Sequence, residues 1–372
     1  MSVLAQCDSK ETFVLNLGPQ HPATHGVLRV KLTMDGEYIR QAEPVLGYIH
    51  RMHEKMGENR TWAQFMPNTG RLDYLSALSY NHGYVLAVER AAAIEVPERA
   101  EYIRVITVEL NRISSHLVWF GAFILDLGGF TPLLYAFDDR EIILDLLQAV
   151  TGSRLTYCYF RFGGVYNDIE PDFITGTLAF IKRLRARMPM YHNLVTKNII
   201  LVKRLKDIGF VPAEMCRKYG ATGPVLRGAG VAYDVRRAEP YSVYPELDFD
   251  IPTHPEGDSM ARYLVRMDEI EQSMRIIEQA CTKLPNGPVM AEKAPKIIKP
   301  AKGDYYAAVE AARGSFGVRL VSDGTNTPYR LKLRSPSYSN LSLFGEASRG
   351  MLLPDALALM GSLDLVIPEI DR

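Results

Sequence analysis

Apolar and polar residues alternate early in the chain. In LRVKLT, Leu28, Val30 and Leu32 face one way and Arg29, Lys31 and Thr33 the other, the period of a half-buried strand. Met34-Asp35-Gly36-Glu37 supplies an Asp-Gly turn, so EYIRQAE is predicted to return antiparallel. From about Glu43 the apolar spacing lengthens to three and four residues, that of a helix. EPVLGYIHRMHEKMGENRTWAQFM, GRLDYLSALSYNHGYVLAVERAAAI and PERAEYIRVITVELNRISSHLVWFGAFILDL read as long helices, bounded by Pro44, Pro67, Gly70, Pro97 and Gly128. DDREIILDLLQAVTG and PDFITGTLAFIKRLRARMPMYHNLVTKN continue the pattern, the second starting at Pro171-Asp172. Gly220 to Tyr244 is glycine-rich and irregular, and a further helix is predicted from about Asp258 to Cys281. FGVRL, the turn region SDGTNTP and YRLKLR form a second hairpin, followed by a short helix near Leu353 to Met360. With no internal repeat or linker-like stretch, the prediction is one α+β domain over residues 1–372. It comprises a β region over 1–43, a mainly helical bundle core over 44–300, and a hairpin, helix and tail over 301–372, which places small antiparallel sheets near both termini.

One segment needs weighing as a membrane span. His116 to Phe137 is long enough and carries Asp126 as its one charge, but Gly128, Gly129 and Pro132 interrupt it. A buried helix ending near Leu127 is the prediction, so any membrane role comes through partners. The 47% hydrophobic content is enough for a substantial core. The 43 basic and 43 acidic residues cancel, which argues against nucleic acid as a partner. Cys7, Cys158, Cys216 and Cys281 lie far apart without a CxxC, a pattern of reduced, inert thiols. The start, MSVLAQCDSKETFVLN, has no secretory or organellar targeting pattern.

Candidate chemistry is sparse and ambiguous residue by residue. GPQHPATHG, Gly18 to Gly26, is a proline- and glycine-shaped turn between strands. It carries His21 and His25, which are either solvated turn residues or imidazoles delivered to a cavity. His50 and His53 in HRMHE would share a helix face with Glu54, yet no second Glu-x-x-His unit completes a di-metal bundle, so no metal is expected. Asp126, a carboxylate inside an apolar helix, must be paired, protonated or functional. A nearby histidine paired with it would gain proton affinity and a fixed tautomer. Tyr74 in GRLDYLS offers a phenol proton, or is one more core tyrosine on an amphipathic helix. Spacing does not bring the three together.

GPQHPATHG, EPVLGYIHRMHEKMGENR, GRLDYLS, ELNRISSHL, GATGPVLRG, RYLVRMDEIEQSMRII, LVSDGTNTPYRLKLRSPSY and the closing Glu369-Ile-Asp-Arg372 resemble, in order and spacing, the quinone-binding large subunit of respiratory NADH dehydrogenase, complex I. The resemblance runs over nearly the whole chain. It implies the fold of nickel–iron hydrogenase large subunits without their metal. Those enzymes hold the metals with two CxxC pairs, whereas HRMHEKMGE and DLVIPEIDR contain no cysteine, which removes hydrogen chemistry. The vacated cavity is where the family binds a quinone headgroup, ubiquinone or menaquinone.

The resemblance further implies roles for particular residues. His25 and Tyr74 would hold the two quinone oxygens, Asp126 would pair with His25, and His21 would support the same loop. Arg51 and Arg71 match arginines near a terminal 4Fe–4S cluster held by a neighbouring subunit; the alternative is that they only make interface salt bridges. No GxGxxG follows a strand, so NADH would bind elsewhere in the complex. The implied partners are the cluster-bearing and other peripheral-arm subunits and the membrane arm that moves protons or sodium. The implied place is peripheral, on the cytoplasmic side of the inner membrane. Other readings are the equivalent subunit of a complex fed by ferredoxin or another donor, and a scaffold whose site has decayed. Two departures stand out. TGSRLTYC has Thr156 where many relatives have a histidine linked to proton-coupled behaviour of that cluster, implying a weaker pH dependence here. Ile367-Pro368-Glu369 also replaces a common glycine before the glutamate.

Overall fold

In the computed structural model, which describes residues 12–19, 26–293, 295 and 297–372, antiparallel sheets flank a helical core. β1 (Phe13–Leu17), β2 (Arg29–Asp35) and β3 (Tyr38–Val45) form the first sheet in that order. Leu15 stands opposite Leu32, and Leu32 opposite Ala42, with a bulge between Thr33 and Met34. The predicted alternation holds: Val30, Leu32 and Met34 are buried. Gly36 turns the chain between β2 and β3 at φ 61, a left-handed conformation that glycine adopts without a Cβ clash.

Two short helices follow, α1 (His53–Glu58) and α2 (Trp62–Thr69), then the long α3 (Ala77–Ala92), α4 (Glu98–Asp126) and α5 (Phe130–Thr151). The minimal hairpin of β4 (Phe160–Arg161) and β5 (Gly164–Val165) precedes α6 (Pro171–Tyr191). Two short helices follow, α7 (Ile199–Leu205) and α8 (Ala213–Tyr219), and the glycine-rich region carries only the short α9 (Pro224–Arg227) and α10 (Val235–Ala238). α11 (Ser259–Lys283) is capped by Asp258, which accepts from the Ala261 N–H at 2.7 Å. A second sheet joins β6 (Gly303–Ala311), β7 (Gly314–Ser322) and β8 (Arg330–Arg334), and α12 (Pro336–Ser342), α13 (Phe344–Ala347), α14 (Leu353–Leu363) and α15 (Ile367–Asp371) close the chain.

The structure departs from the sequence pattern in four places. β3 runs through Val45, and residues 46–52 are not helical, so His50 does not share a helix face with His53. Gly47 at φ 106 breaks the run, and the Gly47 and Ile49 N–H groups donate to the Asp371 carboxylate, each at 2.9 Å, instead of to a helix. Gly70 to Ser76 is a turn preceding α3, so Tyr74 is not on a helix. α5 begins at Phe130, well before the predicted Asp138. β6 escapes the sequence pattern because its second half, from Ala307 to Ala311, is buried on both faces and lacks the alternation that marks an ordinary strand.

α4 crosses the core and is buried along most of its length. ELNRISSHL sets Glu109 and Arg112 one turn apart, ion-paired at 3.0 Å, and turns His116 onto Glu269 at 2.9 Å. Arg227 joins Glu269 to Glu310, and Arg104 pairs with Glu89 at 2.7 Å. These buried charges are tolerated because each is matched and hydrogen-bonded. Gly128 at φ 93 separates α4 from α5. Among the described residues no helix is long and apolar enough to cross a membrane.

Candidate functional site

Tyr74 sits in a turn built by its neighbour. Asp73 Oδ1 accepts from the backbone N–H groups of Leu75 and Ser76, at 3.0 and 3.1 Å, a side-chain turn that competes with helix and delays α3 to Ala77. Tyr74 is half-buried, its ring against Leu75, Val118 and Val366. Its hydroxyl makes no hydrogen bond to any described residue. Burial pushes the phenol above its usual range, and Arg313 opposes that shift.

The other end of the candidate site reaches the same segment. A Cβ on Gly26, the last residue of GPQHPATHG, would lie 3.0 Å from Ile367 Cβ and from Pro368 Cδ. Val366, Ile367 and Pro368 thus connect Tyr74 with the loop's end. β1 and β2, which flank that loop, pair directly, as a turn between strands requires. His21 and His25 themselves lie outside the described residues.

Asp126 requires a correction to its expected setting. It is the last residue of α4 and is exposed, because the helix leaves the core in its final turn, where Leu125 is exposed too. The surroundings still crowd its carboxyl, and burial of that group pushes it up to about 6. Among the described residues it has no ion pair or hydrogen bond.

Arg51 and Arg71 both act electrostatically on His53. Arg51 is exposed and Arg71 half-buried, with Arg71 Nη1 donating to the Pro67 carbonyl oxygen. His53 is 1% exposed, and neither ring nitrogen has a hydrogen-bond partner. Burial, then Arg51, His50 and Arg71, hold it down to about 4, so it is neutral at physiological pH. Among the described residues no group of three or more His, Cys, Asp or Glu is placed to hold a metal.

Sequence reasoning missed the ion cluster behind Tyr74. Arg313 Nη1 donates to Asp73 Oδ2 at 2.7 Å and to Ser115 Oγ at 3.1 Å, while Nη2 donates to Asp364 Oδ1 at 3.0 Å; Arg313, Asp73 and Asp364 are all buried. Glu369 is buried nearby with the Ser337 N–H on Oε1 at 3.2 Å and no partner for Oε2. Burial, reinforced by Asp73, pushes its pKa well above the ordinary carboxylate value. The available signal was charge inside apolar runs, Asp364 in SLDLVI and Arg313 in AARGSFG.

Known proteins match the chain along its length. Residues 126–302 and 294–372 match the family model described as respiratory-chain NADH dehydrogenase, 49 Kd subunit. The D-type NADH-quinone oxidoreductase subunit of Desulfotalea psychrophila is 74% identical over 362 residues, covering 97% of each chain. The second D-type subunit of Opitutus terrae is 70% identical over 97% of this chain and 91% of its own. The D-type subunit of Syntrophobacter fumaroxidans is 59% identical over 98% of each. The chain belongs to the family of the 49 kDa, or D-type, subunit of respiratory NADH dehydrogenase, complex I. It is therefore a subunit of an oxidoreductase complex, with other complex I subunits as partners. The helical architecture with small sheets near both ends is consistent with the hydrogenase-large-subunit-like fold expected for that family.

Proposed function

We propose that this chain forms the site at which complex I reduces quinone to quinol, with His25 and Tyr74 on the two quinone oxygens and Asp126 as the partner of His25. The observation that carries the reading is the Tyr74 phenol. It is half-buried, free of hydrogen bonds to described residues, and next to the segment that also receives the end of the His21–His25 loop. Reduction of a quinone places negative charge on both oxygens and consumes two protons. Donors fixed at each oxygen stabilise that charge as it develops and pass protons to it. Tyr74 supplies an O–H, and a histidine with an ordinary pKa near 6.5 exchanges a proton readily. His21 supports the loop.

Electrons would come from a 4Fe–4S cluster on a neighbouring subunit, which this chain's dispersed cysteines are not arranged to hold. Arg51 and Arg71 would face that neighbour. Two guanidinium charges there favour a reduced, more negative centre over an oxidised one. Neutral His53 adds no charge to theirs. The chain works at the cytoplasmic face of the inner membrane, docked to the membrane arm and to the cluster-bearing subunit. Its quinone chemistry is coupled there to ion translocation.

Tyr74→Phe removes the phenol proton and little else. In the assembled complex, short-chain quinone reduction is expected to fall roughly ten-fold or more, within the range that general-acid groups contribute. NADH oxidation by a hydrophilic artificial acceptor should be unchanged. A variant with wild-type quinone kcat/KM would remove Tyr74 from the site.

A further inference from the structure

We propose that Arg313 is a positioning residue for Tyr74: forked between Asp73 and Asp364, it locks the turn that presents the phenol and keeps a positive charge behind it. The inference rests on the reading of Tyr74 as a proton donor to the quinone.

The geometry is specific. One terminal nitrogen of Arg313 reaches Asp73 at 2.7 Å and the other reaches Asp364 at 3.0 Å. Asp73 has its second oxygen committed to the N–H groups of Leu75 and Ser76, the two residues after Tyr74. A shift of the guanidinium is therefore transmitted through one carboxylate to the backbone on both sides of the phenol. Arg313 is itself held. Its carbonyl oxygen accepts from Asn340 Nδ2 at 3.3 Å, and a Cβ on Gly223, at φ +70, would stand 2.4 Å from that oxygen. Only a residue without a Cβ permits such an approach.

A structural role alone does not require this chemistry. A buried guanidinium between carboxylates carries a large desolvation cost, and apolar side chains of similar size often hold a core equally well. Here the charges have a local effect. Arg313 is the cation whose field favours proton release from Tyr74, against burial and against Asp73 and Asp364. Arg266, 3.8 Å from Asp364, partly balances the second carboxylate. Lysine cannot replace the fork, because an ammonium is a single point of contact.

The test is a double-mutant cycle in the assembled complex, with Arg313→Lys, Tyr74→Phe and both together. Arg313→Lys is expected to lower kcat for a short-chain quinone roughly ten-fold, with KM changed much less, since the group acts on the proton donor and not on the bound headgroup. In the Tyr74→Phe background the same substitution should change kcat by less than about two-fold, the non-additivity expected of residues acting as one unit. Independent, additive losses would overturn the proposal, and so would a silent Arg313→Lys. If Arg313→Lys does not assemble, Asp364→Asn serves instead. With one negative charge removed near the phenol, the alkaline limb of kcat should move to lower pH; an unmoved limb overturns the proposal. Wild-type activity of Tyr74→Phe alone would instead mark the failure of the site reading.

Discussion

Asp73 divides its two oxygens between Arg313 and the backbone: Oδ2 accepts from the guanidinium at 2.7 Å, and Oδ1 holds the N–H groups of Leu75 and Ser76. Tyr74 lies between these attachments, so the position of its phenol depends on a buried charge contact from a residue more than two hundred positions later in the chain.

This contact makes Asp73 a sensitive position for stability. Asp73→Ala leaves a fully buried Arg313 short of one carboxylate and removes the turn-forming acceptor. Breaking a buried pair from one side typically costs roughly 3–5 kcal/mol. The thermal midpoint of the purified complex should drop, or the subunit should fail to assemble. Asp73→Asn, which keeps an acceptor for Leu75 and Ser76, should be the milder change. Equal stability of the Ala variant and wild type would remove Asp73 from this structural role.

His53 predicts an acid-side weakness. Its folded-state pKa is about 4, against an ordinary value of 6.5, owing first to burial and then to Arg51, His50 and Arg71. Between these values the unfolded chain binds a proton that the folded one refuses, so stability declines as pH falls from about 6.5 toward 4 and is unaffected by this group above that window. His53→Leu should flatten the fall in thermal midpoint across that range. Part of the slope will persist, because burial also holds His82 down to about 3. An unchanged slope would show that His53 does not contribute to it.

Asp126 separates function from stability. Although the residue lies at the surface, partial desolvation of its carboxyl by the surrounding protein raises the pKa to about 6 from 3.8, so its favourable contribution belongs to the protonated form and is lost as pH rises through about 6. Asp126→Asn mimics the protonated group and should not lower the thermal midpoint at about pH 7 to 8, in the range above both pKa values. If Asp126 orients His25, the same variant should nevertheless reduce quinone turnover. Full turnover in an assembled Asp126→Asn complex would exclude that pairing.

Much of the architecture is legible in the sequence because it follows from local periodicity. The Asp35-Gly36 hairpin, α4, α6 and α11 are where the apolar spacing and the caps place them. Some failures arise where distant residues take over local backbone preferences, others from local side-chain turns and glycine breaks such as those at Asp73 and Gly128. Gly47 and Ile49 bond to Asp371 at the far end of the chain, which keeps residues 46–52 out of a helix. The second half of β6, which packs on α3 and β7, shows no exposed polar face. Asp126 is expected from the sequence to lie inside a core, but the break at Gly128 brings it to the surface. At the site, single residues carry little information. Tyr74 resembles any core tyrosine, and its support by Asp73, Arg313 and Asp364 spans three separate parts of the sequence.

Whether Tyr74 binds a quinone oxygen decides the proposed function. A structure of the assembled complex with a short-chain quinone bound tests it most directly. The Tyr74 hydroxyl is expected within about 3 Å of one carbonyl oxygen, a normal hydrogen-bond distance, with the His25 ring at the other. A headgroup bound elsewhere, with Tyr74 facing protein or solvent, would contradict it.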